Sequence, residues 1–180
     1  MTSAERVQLD AFARVDGALL SLLWISSFAC YIAGLTNGML GIVAIILAVS
    51  TPFFVAKRLR LFRDHAREGV ISFMRGWAFV VLVFFYAGLL FALAQYAYFA
   101  YLDHGYVVSV IQKMMQTPEF ASVVKQYGAE DTLRQMVGDF QNVRPIDFAL
   151  NGLSTNIFIG ILLGLPIAAM LKSGAKSSQS

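Results

Sequence analysis

The sequence has few charged residues, and this shortage excludes most classes of soluble protein. Charged side chains make up 14% of the 180 residues and hydrophobic ones 58%, whereas a soluble domain has roughly 25% charged residues. The bilayer is therefore the expected solvent. The formal net charge of +3 does not indicate nucleic acid, because the largest group of Lys and Arg residues lies between two apolar runs, where membrane topology accounts for it.

Cysteine and histidine are scarce as well. The single cysteine, Cys30, lies within an apolar run, so no disulfide can form within the chain. The two histidines, His65 and His104, lie at opposite ends of a predicted span, so one monomer cannot use both to bind a haem or a metal ion. The sequence has no phosphate-binding glycine loop and no nucleophile elbow. We therefore predict no cofactor, no metal site and no catalytic residue in a protein that is not an enzyme.

Four uncharged runs are long enough to cross a hydrocarbon core about 30 Å thick, which needs roughly 20 residues. They cover residues 17–35, 38–56, 76–102 and 148–171. Only Thr36 and Asn37 separate the first two runs, and Gly38 follows, so these two spans are expected to form a tight antiparallel hairpin. The sequence predicts an all-α fold, in which a single membrane domain forms a four-helix bundle.

Lys and Arg are distributed unevenly between the two long connections. The segment 57–75 contains six of them, Lys57, Arg58, Arg60, Arg63, Arg67 and Arg75, and the longer segment 103–147 contains only four. By the positive-inside rule, segment 57–75 is cytoplasmic, and four spans then place both termini in the cytoplasm as well. We expect a multi-pass protein of the bacterial cytoplasmic (inner) membrane.

The segment 103–147 is expected to be helical and to lie on the outer side of the membrane. Apolar residues recur there at helical spacing, first at Val107, Val110, Ile111 and Met114 and then at Leu133, Met136, Val137 and Phe140. Thr117 followed by Pro118 is typical of a helix start, and Gly128 of a helix end. Two or three short amphipathic helices are predicted. They pack on the spans, lie on the outer leaflet or meet a partner, and we favour packing.

Span four has small residues at four-residue spacing, namely Gly152, Asn156, Gly160, Gly164 and Ala168. Small side chains let helix backbones approach closely in membranes, so we interpret these residues as a helix-packing face. The uncharged polar residues Gln95, Asn151 and Asn156 allow two interpretations. We favour hydrogen bonding between helices, and the alternative is a polar pocket for a small molecule or a lipid.

Arg60, Arg63 and Arg67 follow one another at three- and four-residue spacing, with Asp64 beside them. On a continuous helix they would share one basic face, which is a candidate contact for anionic lipid or for an acidic partner. The alternative, which we favour, is that these arginines only set the topology.

The string FRDHAREGVISFMRGWAF, at residues 62–79, resembles the signature of a bacterial family of unknown function. That signature has Arg-Asp, then Gly, then Ile-Ser-Phe, then Ala-Phe. The family is numbered forty-one ninety-nine among domains of unknown function and is typical of Bacteroidota. The matching positions are Arg63, Asp64, Gly69, Ile71, Ser72, Phe73, Ala78 and Phe79. Val70 replaces a frequent second glycine, and Met74 and Arg75 replace a small residue and a lysine. The resemblance covers nearly the whole chain and implies a four-span membrane fold, but no reaction.

Charge-free spans, a small-residue face and an ordered outer segment favour a non-catalytic accessory subunit or a self-associating scaffold. The alternative function is a carrier or binder of a small molecule or lipid that uses Gln95, Asn151 and Asn156. A second alternative is an interfacial enzyme that acts on lipid-linked substrates. A bundle without a cavity would favour the subunit. A cavity at the membrane midplane lined by the amides would favour the carrier, and converging titratable groups would favour the enzyme. The expected partners are the bilayer with its anionic lipids, and another membrane protein or a second copy.

Overall fold

The computed structural model describes residues 2–173, apart from the side chains at positions 119, 121, 134 and 141. This part of the chain is built from eight α-helices: α1 (Ser3–Gly34), α2 (Gly38–Val49), α3 (Thr51–Ala66), α4 (Phe73–Ala97), α5 (Tyr106–Met115), α6 (Pro118–Gln126), α7 (Glu130–Asn142) and α8 (Pro145–Leu171). A π-helical turn, Tyr98–Leu102, extends α4. Within residues 2–173 the only extended pairing is a β-bridge between Ile71 and Ser173. The prediction of an all-α fold is confirmed.

Four helical segments are long and apolar enough to cross a membrane: α1, α2 with α3, α4 with its π-helical turn, and α8. The four predicted spans are therefore confirmed, although the helices extend beyond the uncharged runs. We call the end of the bundle that carries residues 57–75 the basic end. The opposite end, which carries α5, α6 and α7, is the cap end.

The first helix is much longer than its apolar run. It has 32 residues, about 48 Å at 1.5 Å per residue, and the charged residues lie in its first half. A capping box, typical of a helix start, lies at its first turn: Glu5 N–H donates to Thr2 Oγ1 at 3.2 Å, and Thr2 N–H donates to Glu5 Oε2 at 2.9 Å. The segment before Gly17 is continuous with the first span.

Close glycine contacts hold α1 against its neighbours. A Cβ atom on Gly34 would lie 2.5 Å from the backbone N of Gly41, and one on Gly17 would lie 2.6 Å from Tyr86 Cβ. The first approach closes the α1–α2 hairpin, and the second seats α1 on α4. Trp24 of α1 extends the second contact, since its ring lies edge-on to that of Phe84 at 5.4 Å between centroids.

Helix α4 is the centre of the bundle, with α1 on one side and α8 on the other. The fully buried side chains of the core come mainly from α4 and α3, and they include Val55, Leu59, Phe79, Val80, Val83 and Phe84. Helix α2 packs mainly on α1, and Ala44 is its one buried residue. The α2 side of the bundle is therefore more open than the α4–α8 side.

The cap consists of three helices, at the upper end of the predicted number. As predicted, Thr117 is the N-cap of α6 and Pro118 its first residue. Phe140 of α7 packs on Phe148 of α8, with 4.7 Å between ring centroids. The carboxylate of Asp103 accepts backbone N–H groups at the start of α5. The cap is thus joined to the ends of α4 and α8 by aromatic packing and by one buried carboxylate.

Candidate functional site

A buried ion pair joins α1 to α3 near the basic end. Asp16 is 1% exposed, and Arg58 Nε donates to its Oδ1 at 2.6 Å. The Arg58 side chain is 26% exposed, so part of the guanidinium is accessible. A buried carboxylate is costly without an opposite charge and hydrogen bonds. The pair therefore fixes the position of α1 relative to α3.

This ion pair lies level with the interior of α4. Gly17, next to Asp16, lies against Val83 and Tyr86 of α4, and Val83 is roughly 15 Å from the start of that helix at 1.5 Å per residue. The predicted spans contain no charged residue, but charged residues of the flanking segments, such as Asp16 and Arg58, pack beside them. The sequence analysis did not predict this pair. A signal was present, because Asp16 and Arg58 are nearly equidistant along the chain from the turn at Thr36 and Asn37. In an antiparallel hairpin, residues at equal distances from the turn lie next to each other.

Glu5 binds two arginines, Arg67 just after α3 and Arg75 in the first turn of α4. Its Oε1 accepts a hydrogen bond from Arg67 at 2.9 Å, and its Oε2 accepts one from Arg75 at 2.8 Å. The backbone N–H of Thr2, followed by Arg67 and Arg75, lowers the pKa of Glu5 to about 2. The carboxylate therefore stays ionised near neutral pH and ties the start of α1 to both ends of the connection.

A third cluster links α1 to the middle of α4. The hydroxyl of Tyr86 donates to Asp10, and Arg14 forms an ion pair with the same carboxylate. The guanidinium of Arg14 also lies over the Tyr86 ring, 5.7 Å from its centroid. These side chains extend the set of charge contacts between α1 and the rest of the bundle.

The three arginines predicted to share one basic face are separated in the structure. Helix α3 ends before Arg67, which turns to Glu5 instead. Arg63 donates to the carbonyl oxygen of Leu171 at 3.4 Å. Arg60 is exposed and remains the member of the trio that is open to lipid. Contact between this region and anionic lipid stays a prediction.

The three amides of the predicted polar pocket are not brought together. Gln95 packs against Gly152, and its Oε1 is buried without a hydrogen-bond partner among the described residues. Asn151 is exposed on α8 and accepts a hydrogen bond from Thr155 at 3.4 Å. Asn156 alone lines a cavity.

That cavity is a groove of about 420 Å³ between α2 and α8, within the 300–1,000 Å³ of many ligand sites. Helices α1 and α4 form its floor. Its polar floor groups are used internally, since Trp24 Nε1 donates to Thr51 Oγ1 at 3.0 Å and Ser27 donates to the Ala44 carbonyl. The lining residues are Trp24, Ser27, Phe28, Tyr31, Ala44, Ile45, Ala48, Thr51, Pro52, Phe84, Phe91, Asn156, Ile159 and Leu163. We call it the lateral groove.

The predicted packing face of α8 lies against α4. A Cβ atom on Gly160 would overlap Phe84, and one on Gly164 would lie 2.9 Å from Trp77 Cδ1. The face also includes Ala168, whose Cβ lies opposite Gly76. The small residues of this face thus make contacts within one chain. A partner protein would have to bind to another surface of the molecule.

The described residues hold no group of three or more His, Cys, Asp and Glu side chains placed to bind a metal ion. The arrangement defines an all-helical, multi-pass membrane protein. The chain belongs to the family described as Protein of unknown function (DUF4199), whose sequence profile matches residues 16–173. A search of curated proteins gave no match, and a search of solved structures gave none either.

The residues that carry the family resemblance build the turn between α3 and α4. Gly69 has a φ of +81°, which favours glycine, and Ile71 is 1% exposed and forms the bridge to Ser173. Ser72 is the N-cap of α4, and Phe79 is fully buried against Phe62, stacked at 4.7 Å. The signature residues therefore have a structural role, because they form the turn and the packing contacts of the basic end.

Proposed function

We propose that the protein is a non-catalytic membrane component, an accessory subunit or a scaffold. The observation that carries this proposal is the pairing of charged groups at the basic end: Asp16 with Arg58, and Glu5 with Arg67 and Arg75. Titratable groups do converge there, which is the pattern expected of an enzyme. Each of these carboxylates is bound by arginine, however, and a Glu5 with a pKa of about 2 is a poor general base near pH 7. These contacts serve to hold helices together.

The experiment for this proposal is purification of the tagged protein from its native membrane in mild detergent after brief cross-linking. A stoichiometric protein partner or a defined oligomer is expected, and a tagged four-span protein of another family at equal expression is the control. Recovery as a monomer without a stoichiometric protein would contradict the proposal. An interfacial enzyme on lipid-linked substrates remains a further hypothesis, with no catalytic residue assigned.

The lateral groove favours a second candidate function, a binder or carrier of a lipid or another apolar small molecule. Replacing Ala48 with Phe should fill the groove, because Ala48 is exposed and lines it. We expect the variant to lose any lipid that co-purifies with the wild-type protein, as measured by native mass spectrometry. Ile42→Phe, on the same helix and 55% exposed, is the matched control. Equal lipid retention in all three proteins would exclude the groove as the binding site.

We further propose that the basic end faces the cytoplasm, so that both termini are cytoplasmic and α5, α6 and α7 lie on the outer side of the inner membrane. The support is the excess of Lys and Arg in residues 57–75. In a Cys30→Ala background, a cysteine at the exposed Gln126 should react with an impermeant thiol reagent on intact spheroplasts, and one at the exposed His65, near Arg67, should not. Labelling of the His65 position, with the Gln126 position silent, would reverse the orientation.

A further inference from the structure

A second cavity lies at the basic end, where the connection between α3 and α4 meets the end of α8. Its volume is about 900 Å³, and it is lined by Arg67, Val70, Ile71, Ser72, Phe73, Met74, Arg75, Lys172 and Ser173. We call it the basic pocket. It shares no lining residue with the lateral groove. Three of its nine lining side chains are cationic and two carry hydroxyls, so its chemistry differs from that of the apolar bundle around it.

Backbone pairing gives this pocket a defined wall. Ser173 N–H donates to the Ile71 carbonyl at 3.0 Å, and the Ser173 hydroxyl donates to the Gly69 carbonyl. The chain after α8 is thereby held against the segment before α4. Lys172 and Arg75, which are distant in sequence, consequently line one pocket.

The cations of the pocket have hydrogen-bond donors to spare. Arg67 and Arg75 each give one N–H group to Glu5, and a guanidinium has five. The single carboxylate of Glu5 thus holds the guanidinium groups of Arg67 and Arg75 in place, but its one negative charge cannot neutralise both of their positive charges. Lys172 is exposed, and its side chain forms no hydrogen bond or ion pair with the described residues. The pocket therefore has a net positive charge and unused donors, which together suit a phosphate group.

The same pocket has an apolar side. Met74 is 61% exposed and Val70 39% exposed, and both line it beside the cations. The pocket also lies where two membrane-spanning helices, α4 and α8, reach the basic end. A ligand that presents phosphate to the cations and hydrocarbon to Met74 would satisfy both sides. We propose that the basic pocket binds the phosphate group of an anionic phospholipid, with its acyl chains along the start of α4.

The test compares lipid binding by the full-length wild-type protein and by variants, using native mass spectrometry with phosphatidylglycerol and phosphatidylcholine. The wild type should retain phosphatidylglycerol in preference. Lys172→Gln should weaken that binding about fivefold, and Arg75→Gln with Lys172→Gln about 25-fold, because a cation near an anionic headgroup is worth about 1 kcal/mol. Arg6→Gln with Lys57→Gln is the matched control, since it removes two exposed cations outside the pocket. It should change binding less than about twofold, because solvent and salt screen exposed charges that do not contact the bound phosphate.

Three results would overturn the proposal. One is equal retention of phosphatidylglycerol by the wild type and the pocket variants, and another is an equal loss in the control variant, which would indicate a diffuse basic surface. The third is displacement of the lipid by excess inorganic phosphate or glycerol phosphate, which would make the pocket a site for soluble anions. If the double variant fails to fold, the result for Lys172→Gln decides, because this exposed side chain forms no hydrogen bond or ion pair with the described residues.

Discussion

Replacing Arg58 with Met should lower the free energy of unfolding by about 3–5 kcal/mol, because it leaves the Asp16 carboxylate buried without its counter-charge. The carboxylate is 1% exposed, and Arg58 Nε is the donor that lies 2.6 Å from it. The measurement is unfolding of the purified protein by SDS in mixed micelles, followed by helical circular dichroism.

Two further variants separate the ion pair from a simple loss of positive charge. Arg60→Met, on the same helix but exposed, should change the free energy of unfolding by less than about 0.5 kcal/mol. The double variant Asp16→Leu with Arg58→Met should recover most of the loss, since replacing both partners of a buried pair by apolar side chains is often neutral. If Arg58→Met and Arg60→Met were equally mild, Asp16 would not depend on Arg58.

Local patterns in the sequence were sufficient to predict the four spans, the α1–α2 hairpin and the helical cap. Each of these depends on a run of apolar residues, a turn cluster or a capping residue, and such features are read along the chain. The end of α8 at Leu171 agrees with the predicted end of span four, whereas the first apolar run gave too short a helix. That run begins at Gly17 but α1 begins at Ser3, because residues such as Glu and Arg are good helix formers.

The arrangement of the basic end could not be predicted for a different reason. The helical face proposed for Arg60, Arg63 and Arg67 required α3 to continue through residue 67. The chain instead turns there, with positive φ at Glu68 and Gly69, and Arg67 pairs with Glu5 at the start of α1. Which basic residue finds which carboxylate depends on contacts between distant segments. The basic pocket has the same origin, since its lining comes from residues 67–75 and 172–173.

The packing face of α8 was predicted from its spacing, but only the structure identifies the helix against which it packs. Sequence reasoning left open whether those glycines meet a second copy of the chain or another span. Gly160 meets Phe84, and Gly164 meets Trp77 and Val80, all of them on α4. Because Phe84 and Val80 are fully buried, the α8 glycines are needed for the fold of one chain. Substitutions there should therefore act on stability before they act on assembly.

Replacing Gly160 with Ala should destabilise the protein by about 1–3 kcal/mol, and Gly160→Ile should cost more. The new Cβ would overlap Phe84 Cβ, an atom next to the α4 backbone that cannot rotate away, so the two helices must separate. Gly164→Ala should be milder, because the nearest atom, Trp77 Cδ1 at 2.9 Å, belongs to a partly exposed side chain. SDS unfolding in mixed micelles gives the order of the variants.

The matched control for this series is Gly138→Ala on α7, where a Cβ would meet nothing within 4 Å. Removing a glycine from a helix interior without a clash should raise stability, by up to about 1 kcal/mol. Replacing glycine with alanine is thus expected to raise the free energy of unfolding at position 138 and to lower it at position 160. Wild-type stability in Gly160→Ala and Gly160→Ile would mean that α8 presents this face to lipid, and the α4–α8 contact described above would be wrong.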